Sequence, residues 1–251
     1  MRYRAIRAVC CRYTSLLALP VILLALPGFD LLNSLDIARP VRPPSAIENR
    51  LKNTGKVFLT LKHYDFLIPA AYLNAYRVKF RPESQYRVGG FSLDVLLPGM
   101  EHITPANEAA FKALGFGRQL SVGIGERELS ILERIENWAS FDQQSIDLDK
   151  LIEPGLHSLP VWGEESREKR SRYLFNSVIH GRSYIKCSLP KAVQSPSCQF
   201  DWDYFPGLEF YTTYSFVYFP RHEEILGKLQ RLLQTFIDDA AALKKAVVSG
   251  R

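Results

Sequence analysis

Residues that announce chemistry are scarce in this sequence. Its 251 positions hold four cysteines, five histidines, three tryptophans and two methionines. The histidines, His63, His102, His157, His180 and His222, stand singly with no partner at ligand spacing, so no metal is expected. HEEIL at His222 to Leu226 lacks the second histidine of a zinc-binding HExxH. Glu223 and Glu224 there suit the first turn of a helix, where they complement its dipole.

Glycine spacing excludes nucleotide loops. GFGRQLSVGIG, Gly115 to Gly125, has four glycines, but Leu120 stands where a dinucleotide fingerprint needs glycine or alanine. The glycines also flank a strand-like run when they should open a helix behind one. In GGFSL, Gly89 to Leu93, the second glycine of a nucleophile elbow is replaced by Leu93, and Ser92 falls on the polar face of a strand. Carboxylate pairs such as Asp147 with Asp149 and Asp201 with Asp203 are ordinary loop features. No catalytic set and no cofactor motif emerges, so the chain is expected not to be an enzyme.

Acidic residues are missing before Asp30, while Arg2, Arg4, Arg7 and Arg12 precede it. The formal net charge is +6, and without these four arginines it is +2. A body so close to neutral gives no electrostatic case for nucleic acid. Behind the arginines runs SLLALPVILLALPGF, Ser15 to Phe29, about the length of a signal h-region and slightly short for a comfortable span. It reads as a signal anchor or signal peptide over residues 1–37, or else as a core helix. The basic flank stays in the cytoplasm, so the rest faces the other side. The expected location is the inner membrane, single pass, with a periplasmic body, or soluble in the periplasm after cleavage.

With 47% hydrophobic residues the chain can bury a real core. Residues 38–46, ARPVRPPSA, form a stiff Pro-rich spacer, and an α+β domain is expected over 47–251. Val57 to Phe80, interrupted at Pro69, suggests two strands separated by a turn. GGFSLDVLLP places Phe91, Leu93, Val95 and Leu97 on one strand face. Thr104 to Leu114 begins with Thr and Pro and predicts a short helix. Arg118 to Gly125 predicts a strand, and the segment after it a helix with Leu129, Leu132, Ile135 and Trp138 on one face.

Residues 142–171, with their prolines, glycines and charges, read as a long surface connection and the place for a boundary between two lobes. Beyond it strands are expected near 172–179, 183–189, 198–203 and Leu208 to Phe219. Ile225, Leu229, Leu232, Phe236 and Ala240 then form a helical stripe in a closing helix over Arg221 to Val247 that packs across a sheet. The order of elements argues for antiparallel sheets with appended amphipathic helices.

Two features suggest binding. QFDWDYFPG, Gln199 to Gly207, alternates Trp202, Tyr204 and Phe205 with Asp201 and Asp203, and such aromatics dominate interface hot spots. Trp162 lies in a polar loop, PVWGEESREKR. All six residues are candidates for contacting a partner, with core packing as the plainer alternative.

Several stretches together resemble a known group: FLIPAAYL at Phe66 to Leu73, GGFSLDVLLPGMEHITP at Gly89 to Pro105, and a C-terminal strand pair with two cysteines, an aromatic strand and a closing helix. The resemblance is to exported or membrane-anchored Gram-negative proteins of the toxin-immunity type. It implies a periplasmic module that binds a cognate toxin and blocks it sterically. An envelope assembly or structural interaction protein is the alternative, and an unrecognised hydrolase the second.

Cys187 and Cys198 lie eleven positions apart. Zinc would want four ligands and a redox pair a CxxC spacing. In an exported body a disulfide is the natural use, stabilising by about 2 to 3 kcal/mol. Cys10 and Cys11, on the cytoplasmic flank, should stay reduced.

Overall fold

The computed structural model describes residues 45–73, 80–111, 117–141, 145–161 and 168–250. The proposed anchor and most of the spacer lie outside these residues. Among the described residues no helix is long and apolar enough to cross a membrane.

The first helix among the described residues is α1 (Ala46–Leu51). Ser45 caps it through a reciprocal box: the Glu48 N–H donates to Ser45 Oγ at 3.1 Å, and the Ser45 N–H to Glu48 Oε2 at 2.8 Å. A hairpin follows, β1 (Lys56–Leu61) and β2 (Tyr64–Pro69). Its turn falls at Lys62 and His63 and not at Pro69, and Lys62 takes a φ of 54° there, as tight hairpin turns require. Pro69 instead closes an edge strand, where its missing N–H costs no ladder bond. The short β3 (Gln85–Arg87) adds to β1 in parallel, giving a three-stranded sheet in the order β2-β1-β3.

The other strands among the described residues form one antiparallel sheet of seven, in the order β4-β5-β10-β9-β8-β7-β6. Its members are β4 (Gly90–Leu96), β5 (Gln119–Glu126), β6 (Gly155–Leu159), β7 (Arg170–Ser177), β8 (Gly181–Ser188), β9 (Ser197–Trp202) and β10 (Leu208–Ser215). The period-2 pattern works as expected on β4, where Phe91, Leu93 and Val95 point inward with Leu97 just beyond, all buried.

The expected helix starts later than Thr104, at α2 (Glu108–Phe111), because Thr104 and Asn107 close a turn on each other, and residues 112–114 of the expectation lie outside the described residues. The next helix, α3 (Ile131–Phe141), starts later than its pattern suggests, since Ser130 and Glu133 form its capping box. Its buried stripe is therefore Ile131, Ile135 and Ala139, with Leu132 and Trp138 beside it, while Leu129 lies before the helix and is exposed.

Segment 142–171 is more than a connection. It carries α4 (Leu148–Leu151) and β6, which pairs with β7, so a single sheet runs across it. Residues 44–251 form one compact unit.

The C-terminal α5 (His222–Val248) follows a 3-10 turn at Phe216–Arg221, which ends β10 earlier than Phe219. α5 buries Ile225, Leu226, Leu229, Leu233, Phe236 and Ala240. The main core lies between the inner face of the large sheet, the hairpin β1–β2 and α5. Lys56 to Asp239 at 2.8 Å and Lys244 to Asp65 at 2.7 Å tie α5 to the hairpin. On the outer face α3 and α4 cover Leu159, Leu174 and Tyr184.

Candidate functional site

The structure turns the aromatic loop inward. Cys198, Phe200 and Trp202 share one parity on β9 and face the core, where Trp202 is fully buried and Phe205 nearly so. Trp202 stacks on Tyr204 at 5.4 Å and meets Phe205 and Phe210 edge-on at 5.7 and 5.2 Å. Asp201 and Asp203 turn the other way. Trp202 and Phe205 thus take the core packing that the sequence left open beside the binding reading, while Asp201, Asp203 and Tyr204 are half-buried and Pro206 is exposed. Trp162 lies outside the described residues.

The disulfide closes as expected. Cys187 and Cys198 are direct partners in the β8–β9 register, with Cα atoms 4.1 Å apart and both sulfurs buried. It staples two neighbouring strands immediately beside the Ile185 and Phe200 pair.

Trp202 has a second task. Its indole N–H donates to the His180 carbonyl at 2.6 Å, and the His180 N–H donates to Ser177 Oγ at 3.1 Å. His180 Nδ1 meets Gln230 Oε1 of α5 at 2.6 Å, and its ring lies so close to Gly227 that a Cβ there would sit 2.9 Å from Nε2. Gly181, at a φ of +74°, turns the chain where an added Cβ would sit 3.1 Å from the Asp203 carbonyl. The β7–β8 turn is held from three sides.

That turn presents Val178 and Ile179, 83% and 69% exposed. At the same end of the sheet, where β6 begins, Ile152 and Leu156 are 52% and 51% exposed. Asn176 beside the turn binds the Ile152 and Glu153 carbonyls through its amide, which fixes this approach to β6. Among the described residues β6 has β7 as its one strand neighbour, so the corner joins aliphatic side chains to a sheet edge. Edges and clustered exposed aliphatics are what proteins use to receive other proteins. No hot-spot residue type marks these four in sequence. The one legible signal is a pair of β-branched residues inside the tight turn NSVIHG.

A charged cluster borders the aromatic loop on the outer face. Arg134 of α3 reaches Asp201 at 2.7 Å and Glu209 at 3.1 Å. Burial pushes the Asp201 carboxyl above its ordinary range, and Arg134 partly offsets the rise. Arg127 lies deeper, with Nη1 4.0 Å from Asp203 and burial lowering its pKa.

One arrangement resembles a nucleophile with its base. Ser183 Oγ lies 2.6 Å from His222 Nε2, and Tyr214 OH 2.9 Å from His222 Nδ1. All three are buried, and desolvation lowers the His222 pKa to about 3. A neutral imidazole between two hydroxyls satisfies its nitrogens and pins the first turn of α5 to β8 and β10. Ser183 itself has no exposed surface in this packing. Among the described residues no group of three or more potential metal ligands gathers.

No family model matches the chain, and no curated protein matches it in sequence. Among solved structures, an immunity protein of the Stenotrophomonas maltophilia type IV secretion system is similar over 72% of this chain and 92% of its own, at 14% identity and a TM-score of 0.48. The Neisseria meningitidis iron-regulated outer membrane lipoprotein FrpD is similar over 73% of this chain and 92% of its own, at 14% identity and a TM-score of 0.44. No residue and no activity is carried over from either.

Proposed function

We propose that the chain is a protein-binding module of the cell envelope whose partner docks on the corner formed by Ile152, Leu156, Val178, Ile179 and the β6 edge. The observation that carries this reading is the combination of strongly exposed aliphatic side chains with a turn braced by Trp202, His180 and α5. A surface held this rigidly costs little ordering entropy on association. The buried disulfide supports an oxidising compartment, and with it the export reading of the N-terminal segment.

The finer proposal is that the partner is an antibacterial toxin neutralised by steric occlusion, as the sequence resemblance implies. Envelope assembly is the second reading, and the same corner serves it.

Affinity purification of the full chain from intact envelopes, beside the Ile179→Asp variant, tests the site. The wild type should bring down a near-stoichiometric partner and the variant should not. Equal recovery by both would remove the corner from the proposal. Deleting the gene separates the finer readings: an immunity protein is dispensable unless its toxin is present, whereas an assembly factor leaves a permeability defect without any toxin.

A further inference from the structure

We infer that the free edge of β6 is a self-association surface, on which a second copy of the chain lays its own β6 antiparallel about a two-fold axis at His157, joining two large sheets into one. This pairing rests on β6 alone and needs no third protein. A second copy and a partner docked on the corner share the edge, so they exclude each other there.

The two ends of the large sheet are finished differently. β4 is met on its far side by Leu73 and by Glu101, each through an isolated bridge, whereas β6, among the described residues, pairs with β7 alone. Proteins guard such an edge with lysine, proline or a bulge. GLHSL has no charged residue and no proline, and its register with β7 runs without a bulge.

The edge is complementary to itself. An antiparallel edge continues its own ladder when rotated by a two-fold, so the same residues serve both copies. With the axis at His157 all of β6 is engaged: Gly155 stands opposite the second copy's Leu159, and Leu156 opposite its Ser158. Each large side chain meets a small one. Space is open for this, since a Cβ added to Gly155 would meet nothing within 4 Å and both Leu156 and Ser158 are exposed.

Charge selects the same occupant. Carried two residues past the pair of Leu159 with Arg172, the β6–β7 register sets Val161 beside Arg170. Across the two-fold, Glu153 lies opposite the second copy's Val161 and therefore next to its Arg170. Both are exposed and of opposite sign, and the rotation makes the contact twice. A strand from an unrelated protein has no such match built in.

Sedimentation of the oxidised full chain in detergent micelles, carrying Cys10→Ser and Cys11→Ser, tests the edge. A reversible dimer should form over about 1 to 200 µM, as suits a contact at the small end of interface sizes. Leu156→Lys places a charge on the edge and should weaken the dimer by about tenfold or more. His157→Cys sets two thiols face to face across the axis, at a strand-pair separation that a disulfide spans, and should give a covalent dimer on mild oxidation. Val178→Cys, far from the axis, should not. A chain that stays monomeric throughout overturns the pairing, as does a dimer that a folded Leu156→Lys leaves unchanged. If Leu156→Lys does not fold, His157→Cys decides: a covalent dimer supports the axis, and a dimer that stays uncross-linked overturns it. Any of these failures leaves the capture of a partner through Ile179 as it was, because no partner is present in the measurement.

Discussion

Trp202 and Phe205 are among the bulkiest side chains of the chain and lie inside it, whereas Val178 and Ile179 stand 83% and 69% exposed one turn away. By residue type the two regions should have exchanged roles. Their connection explains why they have not: the Trp202 ring fills the space under the sheet while its N–H holds the His180 carbonyl, so the buried loop is the support on which the exposed turn stands. A side chain that looks like an interface anchor can instead set the geometry of a neighbouring interface.

Emptying the support should have the largest effect. Trp202→Ala should cost about 3 to 5 kcal/mol in denaturant unfolding, the range for removing a fully buried large aromatic. A loss below about 1 kcal/mol would mark the loop as surface after all.

Acid attacks the same support from the α5 side. His222 has its pKa lowered from 6.5 to about 3, so its unfolded form binds a proton that the folded form refuses. Its stabilising effect is full above pH 6.5 and is lost as pH falls from there toward 3. Between pH 6.5 and pH 4 the loss should be about 3 kcal/mol. His222→Gln, which cannot charge, should flatten that part of the stability profile, and an unflattened profile would move the acid sensitivity to other groups.

Reducing the staple comes next. The Cys187→Ala, Cys198→Ala double variant should lose about 2 to 3 kcal/mol, and thiol titration of protein from intact envelopes should find both sulfurs blocked. Free thiols there would contradict the oxidising compartment.

Smaller still, Trp202→Phe keeps an aromatic ring and removes the donor, leaving the His180 carbonyl unmet. It should cost about 1 to 2 kcal/mol and loosen the 178–180 turn, read as faster amide exchange of Val178 and Ile179. Ile179→Asp, by contrast, should change stability by less than about 0.5 kcal/mol, because its side chain packs on little.

How much of this the sequence discloses depends on the length of each pattern. α5 is legible because its apolar stripe repeats over successive turns, and β4 because four inward positions alternate without a break. β6 is five residues, GLHSL, between Pro154 and Pro160, too short for any period to show. Its place in the sheet comes from pairing with β7, which no local pattern encodes. The orientation of Trp202 is readable in part: Cys198 must face the core for its bond to be buried with its partner, and Trp202 keeps that parity further along the strand. What obscures it is the alternation with Asp201 and Asp203, equally compatible with either face until a neighbour is fixed. The aliphatic corner leaves almost no trace, since exposure belongs to the assembled sheet end and not to any one of its segments.

The dependence of the exposed turn on its buried support is tested most directly by the affinity of the purified, oxidised chain for its captured partner, measured for wild type, Ile179→Asp and Trp202→Phe at matched stability. The account predicts that Ile179→Asp weakens binding by about a hundredfold, the effect of forcing a charge into the centre of an apolar interface, and that Trp202→Phe weakens it by a smaller factor through the loosened turn. Unchanged affinity in Ile179→Asp, with folding intact, would contradict it.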